Sequence, residues 1–321
     1  MEANLSPKNE THNNMIIIDG LIISKWSRSV FEEMHKGGLT AANCTCSVWE
    51  GFIETMDNIA QWKRWFVENK DILTQVFSVD DIHRAKNENR VGVILGWQNT
   101  FGIEANLDRT DLFYELGVRF MQLTYNTQNL VGSGCWESVD NGLSDFGRDL
   151  IDRMNDLGII IDLSHVGEQT AKDAILYSRE PVCFSHCVPR GLLDMPRNKS
   201  DDLLKLCVDK GGFVGFAPYG PFLPTGGEST IDDCIAGINY TVSLLGEDNV
   251  GLGTDFTQGH GEEFFRWLRS DKGTGRKLTS GLDGRPNNLI GLDGMKDYPN
   301  LTTKFIQDGW DKEKTGKIMG Q

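Results

Sequence analysis

Two histidines stand at the ends of predicted strands that are neighbours along the chain. His165 and His186 each follow a serine near the end of an apolar run, and Asp255 follows a third run that ends at Thr254. Imidazole nitrogens bind zinc and several other transition metals, and a nearby carboxylate accepts a proton from water or orients a histidine. We therefore predict a hydrolytic metal site with His165 and His186 as ligands and Asp255 as a catalytic residue. For a single histidine of this kind, the alternative is a hydrogen-bonded core residue.

Three other polar residues lie at or after strand ends. Gln98 follows the third apolar run, Tyr125 the fourth and Arg197 the sixth. We predict that Gln98, Asp255 or water completes the metal shell. Tyr125 is predicted to contact the substrate and to donate a hydrogen bond to a developing oxyanion. Arg197 has a planar fork that matches a substrate carboxylate, and its alternative role is a solvated loop charge.

These residues need a scaffold that brings strand ends together. Eight short apolar runs alternate with amphipathic stretches, and most are continuous, as in parallel strands covered on both faces. The runs are Met15–Asp19, Leu39–Thr45, Val91–Trp97, Val118–Thr124, Ile159–Leu163, Val182–His186, Phe213–Pro218 and Asn249–Thr254. Eight β-then-α units predict an α/β fold, the closed (β/α)8 TIM-type barrel, whose active site lies at the carboxyl ends of the strands. The alternative, an open doubly wound sheet, lacks the expected G-x-G-x-x-G loop after the first strand.

Helical patterns fill the intervals between the runs. Ser144 is a predicted N-cap, and four helices are predicted to end in glycine. These glycines are Gly117, Gly158, Gly211 and Gly246. We divide the chain into a flexible polar tail, residues 1–14, and a single barrel domain, residues 15–321, with a long Gly-rich loop at about 257–292.

Composition restricts the partners. The chain has 321 residues and a net charge of −14, which argues against a nucleic-acid partner because phosphate binding needs clustered Lys and Arg. No window approaches the roughly 18 apolar residues of a membrane span, and the first fourteen residues lack an apolar signal core. We expect a cytoplasmic protein that does not bind membranes, and we leave a homodimer open. The seven cysteines are interpreted as reduced core thiols.

Six segments together resemble signatures of the membrane (renal) dipeptidase family. They are Tyr114–Asn126, Gly142–Gly147, Met154–Val166, Pro181–His186, Arg197–Asp202 and Gly291–Thr302. The similarity runs in order from about Asp19 to the C-terminus. The resemblance implies a metallo-dependent hydrolase-like (β/α)8 barrel with a binuclear zinc site that hydrolyses dipeptides.

The resemblance also implies roles for individual residues. By position, His165 and His186 resemble the two histidines that bind the family's second zinc ion. Asp255 resembles the active-site aspartate, and Arg197 resembles the arginine that holds the substrate carboxylate.

This chain departs from the family pattern at the first zinc ion. The family's first strand reads Asp-Gly-His-x-Asp, and Leu21 and Ile23 stand here in place of its two metal ligands. The metal-bridging glutamate appears as Gln98, and the substrate-binding histidine appears as Tyr125. Because leucine and isoleucine cannot coordinate a metal ion, we predict that a binuclear centre does not form.

Two hypotheses of different classes follow. The first is a divergent dipeptidase-family hydrolase that acts on a small carboxylate-bearing amide or dipeptide-like substrate. It would use one zinc or other divalent transition metal ion, or no metal with Asp255 as the base, and a non-haem iron site is a remoter variant. The alternative is a catalytically inactive barrel that binds a ligand or a partner. Retention of the four polar residues favours the enzyme, and loss of the first-metal ligands favours the inactive barrel.

Overall fold

The computed structural model describes residues 7–273 and 288–321, and these contain one sheet of nine strands. The strands are β1 (Ile18–Ile22), β2 (Ala41–Ser47), β3 (Leu73–Gln75), β4 (Val91–Trp97), β5 (Val118–Gln122), β6 (Ile160–Asp162), β7 (Cys183–Cys187), β8 (Phe213–Phe216) and β9 (Val250–Leu252). The pairs are parallel in the order β1-β2-β4-β5-β6-β7-β8-β9, and the short β3 lies off this path, beside β4. Each predicted run overlaps one strand of this order. The predicted parallel barrel is therefore confirmed.

The ends of the sheet meet between β9 and β1. Ile22 forms a parallel bridge with Phe256, and the N–H of Ile23 donates to the carbonyl of Phe256 at 3.0 Å. The N–H of Asp255 donates to the carbonyl of Leu21, also at 3.0 Å. These bonds nearly close the barrel and place Asp255 beside the end of β1.

Twelve α-helices accompany the strands within the described ranges. They are α1 (Pro7–Asn14), α2 (Arg28–Lys36), α3 (Phe52–Glu68), α4 (Val79–Asn87), α5 (Asp108–Glu115), α6 (Asp145–Leu157), α7 (Glu168–Tyr177), α8 (Asp201–Asp209), α9 (Ile231–Leu245), α10 (Glu262–Leu268), α11 (Tyr298–Gln307) and α12 (Lys312–Met319). The predicted N-cap at Ser144 is confirmed, since its hydroxyl accepts the N–H of Gly147 at 2.9 Å. The four predicted terminal glycines all have positive φ. None of the described helices has both the length and the apolar character that crossing a bilayer requires.

Three glycines pack against one main-chain carbonyl, that of Ser185 in β7. Gly20 in β1, Gly215 in β8 and Gly253 after β9 all face it. A Cβ atom at these positions would lie 2.4, 2.0 and 1.9 Å from the Ser185 carbonyl oxygen, respectively. Since real Cβ atoms do not approach an oxygen so closely, only glycine lets the three strands pack against β7 here. This packing fixes the position of the residue that follows, His186.

The structure corrects two features of the predicted domain plan. Residues 7–14 form helix α1 rather than a flexible tail, while residues 1–6 lie outside the described ranges. Buried His12 anchors this helix, because its ring nitrogens contact the Thr302 hydroxyl at 2.7 Å and the Gly37 carbonyl at 2.8 Å. The predicted loop at 257–292 contains helix α10, and residues 274–287 of that loop lie outside the described ranges.

The cysteines agree with the sequence interpretation. All seven are free thiols, and six of them are buried. Cys135 is the half-buried one.

Candidate active site

The two histidines predicted as metal ligands meet at the carboxyl end of the barrel. His165 follows β6 and His186 lies in β7, and their Nε2 atoms are 3.1 Å apart. Both side chains are buried. Burial, and then the positive charge of Arg197, hold the pKa of both imidazoles well below the ordinary value. Both rings are therefore neutral and able to act as ligands.

A network anchored on Asp162 sets the tautomer of His186. The Asp162 carboxylate accepts the Ser164 hydroxyl at 2.6 Å and the Ser185 hydroxyl at 2.5 Å. Because the Ser185 hydroxyl donates its hydrogen bond to Asp162, the Ser185 oxygen is left to accept the Nδ1–H of His186, at 2.8 Å. The Nε2 atom of His186 therefore carries a lone pair and no proton.

Asn126 sets the tautomer of His165 in the same way. Its Oδ1 atom lies 2.8 Å from Nδ1 of His165 and also accepts the thiol of Cys135. An amide oxygen is an acceptor, so His165 donates through Nδ1 and its Nε2 atom is also unprotonated. The Tyr125 ring stacks on His165 with 4.1 Å between ring centroids. Two buried nitrogen lone pairs thus face each other at 3.1 Å, an arrangement that a shared cation stabilises.

This pair fits one transition-metal ion. Two nitrogen ligands at about 2.0–2.1 Å from a tetrahedral zinc ion are separated by roughly 3.3 Å, close to the observed spacing. Hydrogen-bonded Nδ1 atoms are also the usual support of metal-binding histidines. In the part of the chain that the structure describes, no group of three or more His, Cys, Asp or Glu side chains is arranged to hold a metal ion. The described side chains thus offer two histidine ligands to an ion, and a mononuclear centre completed by water, the substrate or an amide stays a prediction.

Gln98 remains a predicted metal ligand. Its Nε2 atom donates to the Thr45 hydroxyl at 3.1 Å. Its Oε1 atom is buried, and no hydrogen-bond partner for it is present among the described residues. This oxygen is an available neutral acceptor at the end of β4.

Leu21 and Ile23 stand where the resemblance implies ligands of the first metal ion. Leu21 and Ile23 are both buried. Ile23 belongs to an apolar cluster that includes Trp49, Tyr125 and Leu268, and the Trp49 and Tyr125 rings meet edge to face at 5.1 Å. A cation would be desolvated here without a ligand. The loss of the first metal position stays a prediction.

Four of the predicted site residues line one cavity of about 40 Å³. They are Tyr125, His165, Arg197 and Asp255. His186 adjoins this group through its contact with His165, whereas Gln98 is not among the described residues that line the cavity. The structure thus brings the two histidines together with Tyr125, Arg197 and Asp255, and leaves Gln98 outside the lining of the cavity.

Asp255 has the properties of a proton acceptor. Its backbone has φ 56°, the left-handed region that is uncommon for aspartate and that recurs at functional sites. Burial raises the pKa of its carboxyl group to about 7, against an opposing effect of the Arg197 charge. A carboxyl group with this pKa exchanges protons near neutral pH.

Arg197 supports the histidines as well as lining the cavity. Its two terminal nitrogens donate to the carbonyls of Ser164 at 2.7 Å and His186 at 2.8 Å. Its Nε atom is buried, with no partner among the described residues. The alternative of a solvated loop charge is wrong, because the side chain is 1% exposed. Binding of a substrate carboxylate by Arg197 stays a prediction. The N–H groups that do not donate to the two carbonyls would be the donors.

The sequence interpretation did not identify the residues that orient the histidines, nor Arg269. The serine before each histidine was a signal for the Asp162 network. Asn126 had no such signal, because its role depends on a contact across 39 positions of the chain. Arg269 lines the cavity from the segment that follows α10, and its guanidinium donates to the hydroxyl of Tyr219.

The fold and the site define a class, the parallel (β/α)8 barrels of amidohydrolase type with paired histidines at the strand ends. Residues 27–265 match the family described as membrane dipeptidase (peptidase family M19). The chain therefore belongs to the membrane dipeptidase family.

Individual relatives agree with this assignment. An uncharacterized dipeptidase of Schizosaccharomyces pombe is 30% identical over 79% of this chain and 56% of its own length. Dipeptidase tcpJ of Claviceps purpurea is 27% identical over 83% of this chain and 57% of its own length. The chain thus spans little more than half the length of these curated relatives.

Solved structures show the same architecture. An amidohydrolase from Pseudomonas aeruginosa has a TM-score of 0.95 and 49% identity, with 98% of this chain and 96% of that chain covered. A metallo peptidase from Rhodobacter sphaeroides, solved with a phosphinate mimic of the dipeptide L-Ala-D-Ala, has a TM-score of 0.80 at 17% identity over 96% of this chain and 97% of that chain. At that identity, the second likeness is evidence for the fold alone.

Proposed function

We propose that this chain hydrolyses an amide bond in a small carboxylate-bearing, dipeptide-like substrate, with one divalent transition metal ion held by His165 and His186. The observation that carries the proposal is the pair of Nε2 atoms, 3.1 Å apart, whose partner Nδ1 atoms are both committed to acceptors. Such an ion supplies Lewis-acid polarisation of a carbonyl and activation of water. Zinc is the metal that the family implies.

Side chains that line the cavity carry out proton transfer, oxyanion stabilisation and substrate binding. Asp255 takes a proton from the attacking water, because its pKa of about 7 lets it act as a base at neutral pH. Burial raises the pKa of the Tyr125 hydroxyl well above its ordinary value, so this group stays protonated and donates to the developing oxyanion. Arg197 orients the substrate carboxylate through N–H groups that its two carbonyl bonds leave available.

Metal analysis combined with hydrolysis assays tests the proposal. Zinc-supplemented wild type should contain about one ion per chain, and H165A and H186A should each lose it because two histidines are the only imidazole ligands proposed. His83→Ala is the matched control, since His83 is exposed. Asp255→Asn should keep the metal and lose dipeptide hydrolysis. Metal content that is the same in wild type and H165A would refute the mononuclear site, and hydrolysis unchanged in D255N would refute the role of Asp255.

A second candidate function is a binding protein without catalysis. The observation that favours it is the apolar cluster around Ile23, a residue that stands where the resemblance implies a metal ligand. In that case the protein would bind small carboxylates and one metal ion, but would hydrolyse no member of a dipeptide panel. Turnover that disappears in D255N would exclude it.

A further inference from the structure

The segment after β9 forms part of the cavity wall. Phe265 and Leu268 of α10 line the cavity, and Arg269 follows them directly. The indole N–H of Trp49 donates to the carbonyl of Leu268, the last residue of this helix, at 3.2 Å. The Arg269 guanidinium lies 5.2 Å from the Phe265 ring centroid and donates to the Tyr219 hydroxyl.

Two guanidinium groups therefore line the same small space. Arg197 approaches from the loop after β7, and Arg269 approaches from the segment after α10. Among the described residues of the lining, Asp255 is the one that carries a carboxyl group, and the imidazole of His165 is uncharged. A guanidinium presents five N–H donors, and its bonds to a carboxylate are stronger than its bonds to a neutral hydroxyl such as that of Tyr219. An anionic group that enters the cavity can thus take over donors that Arg269 directs at Tyr219.

The cavity is small, and Arg269 is part of its lining. Its volume of about 40 Å³ is far below the roughly 300–1,000 Å³ of pockets that hold small molecules. A substrate with two residues must enlarge it by displacing side chains of the lining. Phe222 and the strand ends are tied to the barrel, whereas Leu268 and Arg269 belong to a short helix and the residue after it.

We infer that Arg269 is a second anion-binding residue of this cavity, and that the preferred substrates carry an acidic group in addition to the carboxylate held by Arg197. The substrate class is therefore a dicarboxylate amide, such as a dipeptide with a glutamate or aspartate residue. This inference rests on the proposed function for the reaction, but its binding part holds whether or not turnover occurs.

A matched pair of ligands tests the binding part. Glutarate and glutaramate have the same shape and differ by one charge, and calorimetric titration of the full chain gives both affinities. Wild type should bind glutarate about 10- to 100-fold more tightly than glutaramate, because a charge-assisted pair is lost with the amide. Arg269→Met should remove this ratio. Arg266→Met, which removes an exposed arginine of α10, should leave the ratio unchanged.

The ratio of the two affinities, measured in one protein, does not depend on how much of that protein is folded. Arg269→Lys is a second test, and part of the preference for glutarate should return in it. Equal affinities in wild type, or the same ratio in wild type and R269M, would overturn the inference. For turnover, the kcat/KM of Ala-Glu should exceed that of Ala-Gln in wild type and not in R269M. A wild type that hydrolyses neither peptide but keeps the glutarate preference contradicts the proposed function and supports the role of Arg269.

Discussion

Replacing Asp255 with asparagine should stabilise the metal-free protein at alkaline pH while abolishing its activity. Burial raises the pKa of this carboxyl group from the ordinary value of 3.8 to about 7. A group whose pKa is raised in the folded state makes folding less favourable as the pH rises through that interval. Asparagine has nearly the same shape and no charge to desolvate, so the variant lacks this penalty.

The size of this stabilisation follows from the pKa values of Asp255 in the unfolded and folded protein. A rise from 3.8 to about 7 corresponds to about 4 kcal/mol at most, and partial exposure of Asp255 reduces this to about 2–4 kcal/mol. The unfolding entropy of a chain of this length is about 0.7 kcal/mol per kelvin. The Tm of D255N should therefore exceed that of wild type by about 3–6 °C at pH 8, with a smaller difference at pH 5.

Thermal melts followed by circular dichroism, in the presence of a chelator and at several pH values from 5 to 8, measure this difference. Asp209→Asn is the matched control, because Asp209 is an exposed carboxyl group at the end of α8. Its melts should follow those of wild type. The reasoning would be refuted if the curves of D255N and wild type ran parallel over this range, or if D255N melted lower at pH 8.

Three further perturbations probe the support of the histidine pair and the closure of the barrel. Ser185→Ala removes the oxygen that accepts the Nδ1–H of His186, so the affinity for zinc should fall about 10- to 100-fold. Competition with a chromophoric chelator measures this affinity, and an unchanged value would contradict the tautomer assignment. Gly253→Ala places a methyl group against the Ser185 carbonyl, so both the Tm and the zinc affinity should fall, whereas a loss of Tm alone would show that β7 does not set the metal site. Tyr298→Phe removes a hydrogen-bond donor to the buried carboxylate of Asp19, whose pKa is raised to about 6 by burial. The unfolding free energy should fall by about 1–3 kcal/mol, and by more at pH 8, where Asp19 is ionised, than at pH 5. A loss of stability that is independent of pH would contradict this prediction.

The barrel itself was predictable because its signals are local. Continuous apolar runs separated by helical patterns describe strands covered on both faces, and this held for all eight strands of the closed path. The strand β3 was missed, since it has three residues and lies off that path. The tail was misread because its polar composition gives no sign that His12 is buried against Thr302, which lies 290 positions away.

The candidate site was predictable for residues that strand ends place together. His165, His186 and Asp255 stand at the ends of strands, and the barrel brings such ends to one face. What the sequence could not supply is the direction of each hydrogen bond. Arg197 is an example. As an arginine it indicated a side chain that binds a carboxylate, but its hydrogen bonds to the carbonyls of Ser164 and His186, which connect β6 and β7, depend on the folded main chain.

The contact of three glycines with the Ser185 carbonyl separates the positions of this barrel that an engineer can vary from those that must stay fixed. Gly20, Gly215 and Gly253 contribute no side chain to the cavity, yet their lack of a Cβ atom lets three segments pack against the main chain just before His186. A saturation library aimed at a new substrate can therefore be confined to the rim, at positions such as Trp136 and Arg269, where side chains face the cavity. Randomising the glycines would fill the library with clones that have lost the geometry of the histidine pair before any change in specificity could be selected.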